Sequence, residues 1–308
     1  MNHAADQQSA RASWYRYGVL FPGFVVLAIS VAMLLGWVYQ PEVFRRFNLT
    51  FGETKPNSAL GFVFLSISLL LLDSPHRPLR ILSRAAAVSA ALLGAMTGFE
   101  FLTGINLGID HRFLAVFAGG TGELDPPRMS AVSALNLTML GLAIPWIDKS
   151  WGRYSPTAVF TWATAALSFL ALTGYAYDPG SLQPLQVFSR VSLSVSVIFL
   201  LLCMAIMFAR PERGAGAIVL RRDLGGEAAR RLLPAAIFIP FTASLVIFKM
   251  YQAGTYGSAL MIFLFVVAPV VIFVPLVLFS ASLLSRMEKV RRQSEDELRV
   301  STDRKSVV

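Results

Sequence analysis

Long apolar runs separated by short polar segments extend along almost the whole sequence. A helix that crosses about 30 Å of hydrocarbon needs roughly 17 to 25 mostly apolar residues. Because only helices and closed barrels satisfy their backbone polar groups in lipid, the pattern predicts an all-α integral membrane protein with eight transmembrane helices. The predicted spans are residues 18–39, 57–73, 80–103, 129–147, 155–177, 187–209, 232–252 and 258–285.

Positive charge alternates between the two ends of these spans and predicts their orientation. Of the Lys and Arg residues, 20 lie on the side that holds both termini and seven on the other side. Lys and Arg are retained in the cytoplasm, so both termini of this multi-pass protein are expected inside a bacterial inner membrane. The first run is too long for a signal-peptide core and should remain as an anchor. The predicted regions are a cytoplasmic tail (1–16), a transmembrane domain (17–285) and a cytoplasmic extension (286–308).

Similar short motifs recur at the outer ends of the spans. Even-numbered spans open with Ser58-Ala59-Leu60, Ser133-Ala134-Leu135, the looser Ser192-Leu193-Ser194, and Ser258-Ala259-Leu260. Odd-numbered spans end in aromatic clusters, which alone would be explained by the preference of aromatic rings for the membrane interface. Together the motifs predict four hairpin repeats of about 60 to 75 residues, inserted in parallel. The aromatic clusters are Gly36–Tyr39, Thr97–Phe101, Thr173–Tyr177 and Phe248–Tyr251.

Composition supports the membrane assignment and excludes several other classes. The chain is 55% hydrophobic and 15% charged, whereas soluble domains carry about 25% charged residues. Its net charge of +9 is distributed among apolar runs rather than in one stripe, so no nucleic-acid partner is expected. The single cysteine, Cys203, and three histidines outside the middle of any span give no basis for a metal site, a haem or any other cofactor. The glycine groups 119–122 and 225–226 are predicted to be turns.

A possible ligand site lies at the outer ends of the third, fifth, sixth and seventh spans. The middle of the membrane is almost free of charge, which argues against a proton relay or ion-coupled transport. Polar and aromatic residues at these ends suit an outward-open pocket for a small ligand. Side chains that extend to the interface, or an ion pair between Glu100 and Lys249, would be simpler explanations. The candidate ligand-binding residues are Phe99, Glu100, Phe101, Tyr175, Tyr177, Arg190, Lys249 and Tyr251.

The last span continues into a charged helical segment from Arg286 to Arg299. Leu283, Met287 and Val290 have coiled-coil spacing, which weakens at Ser294. We therefore expect a dimeric signalling helix with Met287, Val290 and Ser294 as its candidate residues; a solvated stop-transfer tail is the alternative. The final residues carry no packing pattern.

Three segments carry a resemblance to bacterial membrane sensors: Gly108-Ile109-Asp110, Pro127-Arg128-Met129-Ser130 and the stretch from Gly226 to Ala236. From about Tyr17 to Arg299 the chain resembles the multi-span N-terminal region of PAS-containing histidine kinases and diguanylate cyclases. The resemblance implies signal input at the membrane and a dimeric output domain beyond the tail. It assigns no ligand residues, and the sequence stops where an output domain would begin. The chain is therefore either a sensor region separated from its output or a protein that acts through a partner.

The sequence-based expectation is a sensory input module that is not itself an enzyme. Its expected partners are the lipid bilayer, a second copy of the chain and a cytoplasmic output of the histidine kinase or cyclic-di-GMP type. A small-molecule or lipid transporter is the main alternative. A structural membrane protein whose tail docks another protein is a third.

Overall fold

The computed structural model describes residues 16–39, 54–109, 128–150, 155–177, 191–210 and 224–273. Every regular element in these ranges is helical, as the hydropathy pattern predicts, and a π-helical turn from Arg16 to Leu20 leads into the first α-helix. The α-helices are α1 (Phe21–Tyr39), α2 (Pro56–Leu71), α3 (Arg77–Thr103), α4 (Ala131–Ala143), α5 (Pro156–Tyr177), α6 (Leu193–Ala209), α7 (Leu224–Gln252) and α8 (Ser258–Phe273).

One α-helix lies in each of the eight predicted spans, but the helices fall into two length classes. Four segments are long and apolar enough to cross a membrane by length and composition: Tyr17–Tyr39, Arg77–Thr103, Pro156–Gly174 and Leu232–Gln252. These are the odd-numbered helices. The even-numbered helices α2, α4, α6 and α8 are apolar but shorter, between 10 and 17 residues. The helical, membrane-associated character is therefore confirmed.

Helix α7 begins earlier than the sequence predicts. The turn expected at Gly225 and Gly226 is wrong, because both glycines belong to the first turn of α7, together with Glu227. A carboxylate in the first turn interacts favourably with the positive end of the helix dipole, which offsets the poor helix propensity of the two glycines. The other predicted glycine turn, at residues 119–122, lies outside the described residues.

The chain divides into two compact units, residues 1–214 and 215–308. Among the described residues, the first unit contains α1 to α6 and the second contains α7 and α8.

The first unit is a bundle with three inner helices and three outer helices. The inner helices α2, α4 and α6 all contact one another. Each outer helix packs across two inner ones: α1 on α2 and α6, α3 on α2 and α4, and α5 on α4 and α6. The six helices therefore have an approximate threefold arrangement, in which three outer helices surround three inner ones.

The three inner helices share a common register. Their N-cap residues are Lys55, Ser130 and Ser192, and the two serine hydroxyls accept hydrogen bonds from the backbone amides three residues later. This alignment differs from the sequence alignment, because Ser192 corresponds to Ser130 rather than to Ser133. In α6 the first serine of the sequence motif, Ser192, is the N-cap residue, whereas in α4 the first serine of the motif, Ser133, lies three residues after the cap. The motif in α6 is therefore offset by three positions from the helix register.

Equivalent positions after each cap form buried apolar layers. Seven residues beyond the cap lie Phe62, Leu137 and Phe199, all at most 1% exposed. The rings of Phe62 and Phe199 meet edge to face with centroids 4.9 Å apart. Similar layers follow ten and fourteen residues after the cap, a 3–4 spacing typical of coiled-coil seams. These further layers contain Leu65, Leu140 and Leu202, and then Leu69, Ile144 and Ile206.

Glycine allows α3 and α4 to pack with their backbones in contact. A Cβ atom added to Gly141 would lie 2.5 Å from the backbone nitrogen of Ala91 and 2.7 Å from the carbonyl oxygen of Ala87. A Cβ on Gly94 would lie 2.5 Å from the carbonyl oxygen of Ala134. Small residues at such crossings maximise van der Waals contact where lipid supplies no hydrophobic driving force between helices. Larger side chains at either glycine would force the two helices apart.

We predict that Gly141→Ala destabilises the bundle by about 1–3 kcal/mol, because the new methyl group meets backbone atoms that cannot move independently. Thermal or denaturant unfolding in detergent micelles measures this change. Gly98→Ala is the matched control, since a Cβ there meets nothing within 4 Å. The control should be neutral or slightly stabilising, by about 0.5–1 kcal/mol from helix propensity. Equal effects of the two substitutions would contradict the close-packing account.

Candidate functional site

Glu100 is the charged centre of the predicted ligand site, and it is buried near the C-terminal end of α3. It is only 1% exposed, and its Oε1 atom accepts a hydrogen bond of 2.6 Å from the backbone amide of Leu107. Its Oε2 atom lies 3.2 Å from Nη2 of Arg128, a distance that makes an ion pair although the geometry is not that of a hydrogen bond. Glu100 thus fastens the segment after α3 and the segment before α4 to the helix end.

The backbone around Glu100 favours this role. Gly104 ends α3 in the left-handed conformation at φ 71° and donates its amide to the carbonyl of Glu100. Such a glycine turns the chain sharply at a helix C-terminus. The turn returns the chain across the helix end, so that the Leu107 amide reaches the carboxylate and Ile109 becomes buried.

The aromatic neighbours Phe99 and Phe101 are not buried with the Glu100 carboxylate. Both are substantially exposed, at 47% and 40%. The guanidinium carbon of Arg128 lies 5.5 Å from the ring centroid of Phe101, which places the cation over the aromatic face. Arg128 therefore contacts both Glu100 and Phe101, and it is a residue that the candidate set omitted.

The remaining candidates fall in other parts of the chain. Tyr175 and Tyr177 belong to the last turn of α5. Lys249 and Tyr251 belong to α7 in the second unit, where the Lys249 ammonium donates to the side chain of Gln252 at 3.2 Å. Arg190, Met287, Val290 and Ser294 lie outside the described residues. The structure thus brings Glu100 and Phe101 together around Arg128, and the wider pocket stays a prediction.

A second charged cluster lies at the other end of the first unit. Arg210, which follows α6, binds two carboxylates at once: its Nε atom is 2.8 Å from Asp148 Oδ1 and its Nη2 atom is 2.9 Å from Asp73 Oδ1. A further bond of 3.0 Å joins Nη1 to Asp73 Oδ2. Asp73 follows α2 and Asp148 follows α4, so one guanidinium ties together the C-terminal ends of all three inner helices. We call these three residues the Arg210 clamp.

The clamp holds Arg210 in its charged form. Partial burial lowers the pKa of Arg210, but hydrogen bonds to Asp148 and Asp73, with the charges of both carboxylates, outweigh burial and raise that pKa above its ordinary value. The planar guanidinium suits this task because it presents several donors in a fixed fork. The cluster carries one net negative charge and fastens helices rather than performing chemistry.

Sequence reasoning did not single out Asp73 and Asp148, although a signal for them exists. Each charged residue of the clamp stands 18 positions after the cap residue of its helix: Lys55 to Asp73, Ser130 to Asp148 and Ser192 to Arg210. Because only positive charges were counted, Arg210 was interpreted as a topology signal, and Asp73 and Asp148 were overlooked. Searching the repeats for equivalent charged positions would have found the cluster.

Several buried polar atoms in the interior of the first unit have no hydrogen-bond partner. The Asn136 amide donates to the Ser168 hydroxyl at 3.1 Å across the α4–α5 interface, but its Oδ1 atom is unpartnered. Thr164 Oγ1, one turn before Ser168 on α5, is also unpartnered, as are the hydroxyl oxygens of Ser30 and Ser66. Buried polar atoms are almost always paired, and each exception calls for a physical explanation.

Within the described ranges there is no group of three His, Cys, Asp or Glu residues placed to hold a metal ion. Cys203 is buried in α6 as a free thiol. The chain matches no protein-family model, and no curated protein or solved structure is significantly similar to it.

We predict that Arg128→Gln destabilises the protein by about 1–3 kcal/mol, because the buried Glu100 carboxylate loses its counter-charge. Glu100→Gln keeps an acceptor for the Leu107 amide, so the double variant should cost less than the sum of the two single variants. A double-mutant cycle based on unfolding in micelles measures this coupling. Strictly additive effects would show that the two residues do not interact.

We also predict that Arg210→Gln and Arg210→Lys both lower the stability of the first unit, by about 1–2 kcal/mol, since lysine cannot serve two carboxylates with a fixed fork of donors. Thermal unfolding in micelles measures the change. Arg80→Gln is the matched control at the same end of the bundle, because among the described residues Arg80 donates to the carbonyl of Ser74, at 3.3 Å, and pairs with no carboxylate. If Arg210→Lys unfolded at the same temperature as the wild type, the fork geometry of the guanidinium would not contribute to the stability of the first unit.

Proposed function

We propose that this protein is a membrane-embedded sensory input module. In this proposal, a ligand or a bilayer property shifts the packing among the helical hairpins, and the last helix passes the shift to a cytoplasmic output. The output is a histidine kinase or a cyclic-di-GMP enzyme. This part of the proposal rests on the resemblance to membrane sensors described above and on no similarity to a characterised protein. The chain itself supplies no enzymatic step in this account.

The observation that carries the proposal is the set of unpartnered buried polar atoms at contacts between helices. Leaving such an atom without a partner costs about 1–3 kcal/mol. A rearrangement that gives Asn136 Oδ1 or Thr164 Oγ1 a partner would recover that energy, and in this proposal such a rearranged packing is the second state of the sensor. A stimulus that binds one packing modestly more tightly than the other is able to shift the equilibrium between two packings that differ by a few kcal/mol.

The proposal also includes eight membrane crossings in four parallel hairpins. The shared register of the inner helices supports the six crossings of the first unit: 18 residues from cap to clamp correspond to about 27 Å at 1.5 Å per residue, close to the hydrocarbon thickness. Helices α2 and α6 are short, but each spans the same thickness as its long neighbours once the residues between the end of the helix and the Arg210 clamp are included. On this basis the Arg210 clamp lies at the cytoplasmic face, and Glu100 lies at the outer face.

A transporter has less support. Three successive layers of Phe, Leu and Ile side chains fill the centre of the inner helices, and the charged residues of the described first unit lie toward the bundle ends. A transported solute would need another path through the bundle. At mid-depth, the described residues offer only isolated hydroxyl and amide groups as a polar lining for such a path. Uptake of a solute by the purified protein in liposomes would revive this alternative.

We predict that a chimera of residues 1–299 with a histidine kinase output responds to at least one condition in a panel of osmolarity, pH and membrane-fluidising alcohol. A reporter gene measures its output. Thr164→Val should blunt the response, because the unpartnered hydroxyl that favours rearrangement is gone. Thr161→Val is the matched control on the same face of α5, since the Thr161 hydroxyl already donates to the carbonyl of Thr157 at 2.7 Å.

Two outcomes would contradict the proposal. A chimera whose output equals that of a kinase lacking the membrane spans, under every condition, would exclude signal input. A Thr161→Val chimera that loses its response as fully as the Thr164→Val chimera would show that general weakening of α5, and not the unpartnered atom, matters.

We predict that single cysteines at Met287, Val290 and Ser294, placed in a chain in which Cys203 is replaced by Ser, form intermolecular disulfides in membranes. The expected efficiency is highest at Met287 and Val290, which keep coiled-coil spacing, and lower at Ser294. Oxidative cross-linking followed by gel electrophoresis measures it. Failure at all three positions would argue against the proposed homodimeric signalling helix.

A further inference from the structure

The first two turns of α3 carry three arginines on one face of the helix. Arg77, Arg80 and Arg84 are spaced three and four residues apart, so their side chains lie along one side of α3, and all three are exposed. Three guanidinium groups within about two turns form a compact positive patch, which we call the α3 arginine patch.

The carboxylates nearest in sequence do not neutralise this patch. Asp73, four residues before Arg77, is bound by Arg210, and so is Asp148. The first turn of α3 contains no acidic residue, and its cap residue, His76, makes no capping hydrogen bond through its side chain. Arg80 donates to a neutral backbone carbonyl, that of Ser74. Among the described residues of the first unit, no carboxylate pairs with these arginines, so the patch offers a charge of about +3 to a partner.

An exposed apolar stripe begins beside the patch and continues along the same helix. It runs from Ile81 to Phe99, which is about 27 Å, and its first part, from Ile81 to Leu92, covers about 16 Å, half of a hydrocarbon core of about 30 Å. This first part is as long as a lipid tail in one leaflet. The stripe consists of Ile81, Ala85, Val88, Leu92, Met96 and Phe99.

We propose that the α3 arginine patch and its apolar stripe bind an anionic phospholipid of the cytoplasmic leaflet. The phosphate of the lipid lies among Arg77, Arg80 and Arg84, and one acyl chain runs along the stripe from Ile81 toward Leu92. Guanidinium groups suit this headgroup because they bind phosphate oxygens in pairs. The inference rests on the membrane orientation in the proposed function, but it requires no sensory activity.

Native mass spectrometry of the full-length protein in detergent tests the site. The probes are phosphatidylglycerol and phosphatidylcholine with identical acyl chains. Wild-type protein should retain phosphatidylglycerol preferentially, and the triple variant R77Q/R80Q/R84Q should lose about a hundredfold in apparent affinity for it, given about 1 kcal/mol for each basic residue near an anionic surface. The preference should weaken at high salt.

The matched control R291Q/R292Q/R299Q removes the same charge from the tail and should leave the preference intact. Equal retention of both lipids by the wild type, an unchanged triple variant, or equal losses in the triple and control variants would each overturn the site. Soluble glycerol phosphate at millimolar concentration should not displace the lipid; displacement would show that a free anion, not a lipid, is the ligand. These readouts do not depend on signalling, so a silent kinase chimera would leave this proposal standing.

Discussion

The common register of α2, α4 and α6 is the constraint on which the rest of the first unit depends. Serine caps fix one end of α4 and of α6, and the Arg210 clamp fixes the other end of all three inner helices. Because the same number of residues separates cap and clamp in every case, apolar side chains meet in layers at the centre. The outer helices then have three equivalent grooves to occupy, and each one packs across two inner helices.

Within this frame, the contacts between outer and inner helices differ in kind. The α3–α4 contact brings backbones together at Gly94 and Gly141. The α4–α5 contact instead contains side-chain bonds, from Asn136 to Ser168 and from Thr157 to the carbonyl of Ala143, beside the unpartnered oxygens of Asn136 and Thr164. Close backbone contact resists sliding, and unmet hydrogen-bonding capacity favours it. We therefore place the mobile element of the proposed sensor at α5 and its fixed reference at α3 and α4. The same fixed helix α3 carries the proposed lipid site.

The sequence predicted the helices well, because length and hydropathy suffice to locate apolar helices. It predicted the pairing of side chains poorly. Glu100 was singled out as a candidate ligand-binding residue, which stays a prediction. Its partner Arg128 lies 28 positions away in the chain, and the return of the chain at Gly104 and the start of α4 bring the two together. Asp73, Asp148 and Arg210 were missed because each is unremarkable alone and becomes informative only when three helices are aligned by their caps. The turn predicted at Gly225 and Gly226 was wrong because the low helix propensity of glycine was considered without the favourable effect of the Glu227 carboxylate in the first turn of the helix.

The number of membrane crossings tests the account most directly. Single cysteines at His76, Asn106 and Lys149, in a chain with Cys203 replaced by Ser, would be labelled with a membrane-impermeant thiol reagent in intact and in permeabilised cells; all three positions are exposed. If the short inner helices cross the bilayer, positions 76 and 149 lie on one side and position 106 on the other. If only the four long helices cross, position 106 shares its side with position 149 and position 76 is opposite. The account predicts labelling of position 106 alone in intact cells, and the second pattern would contradict it.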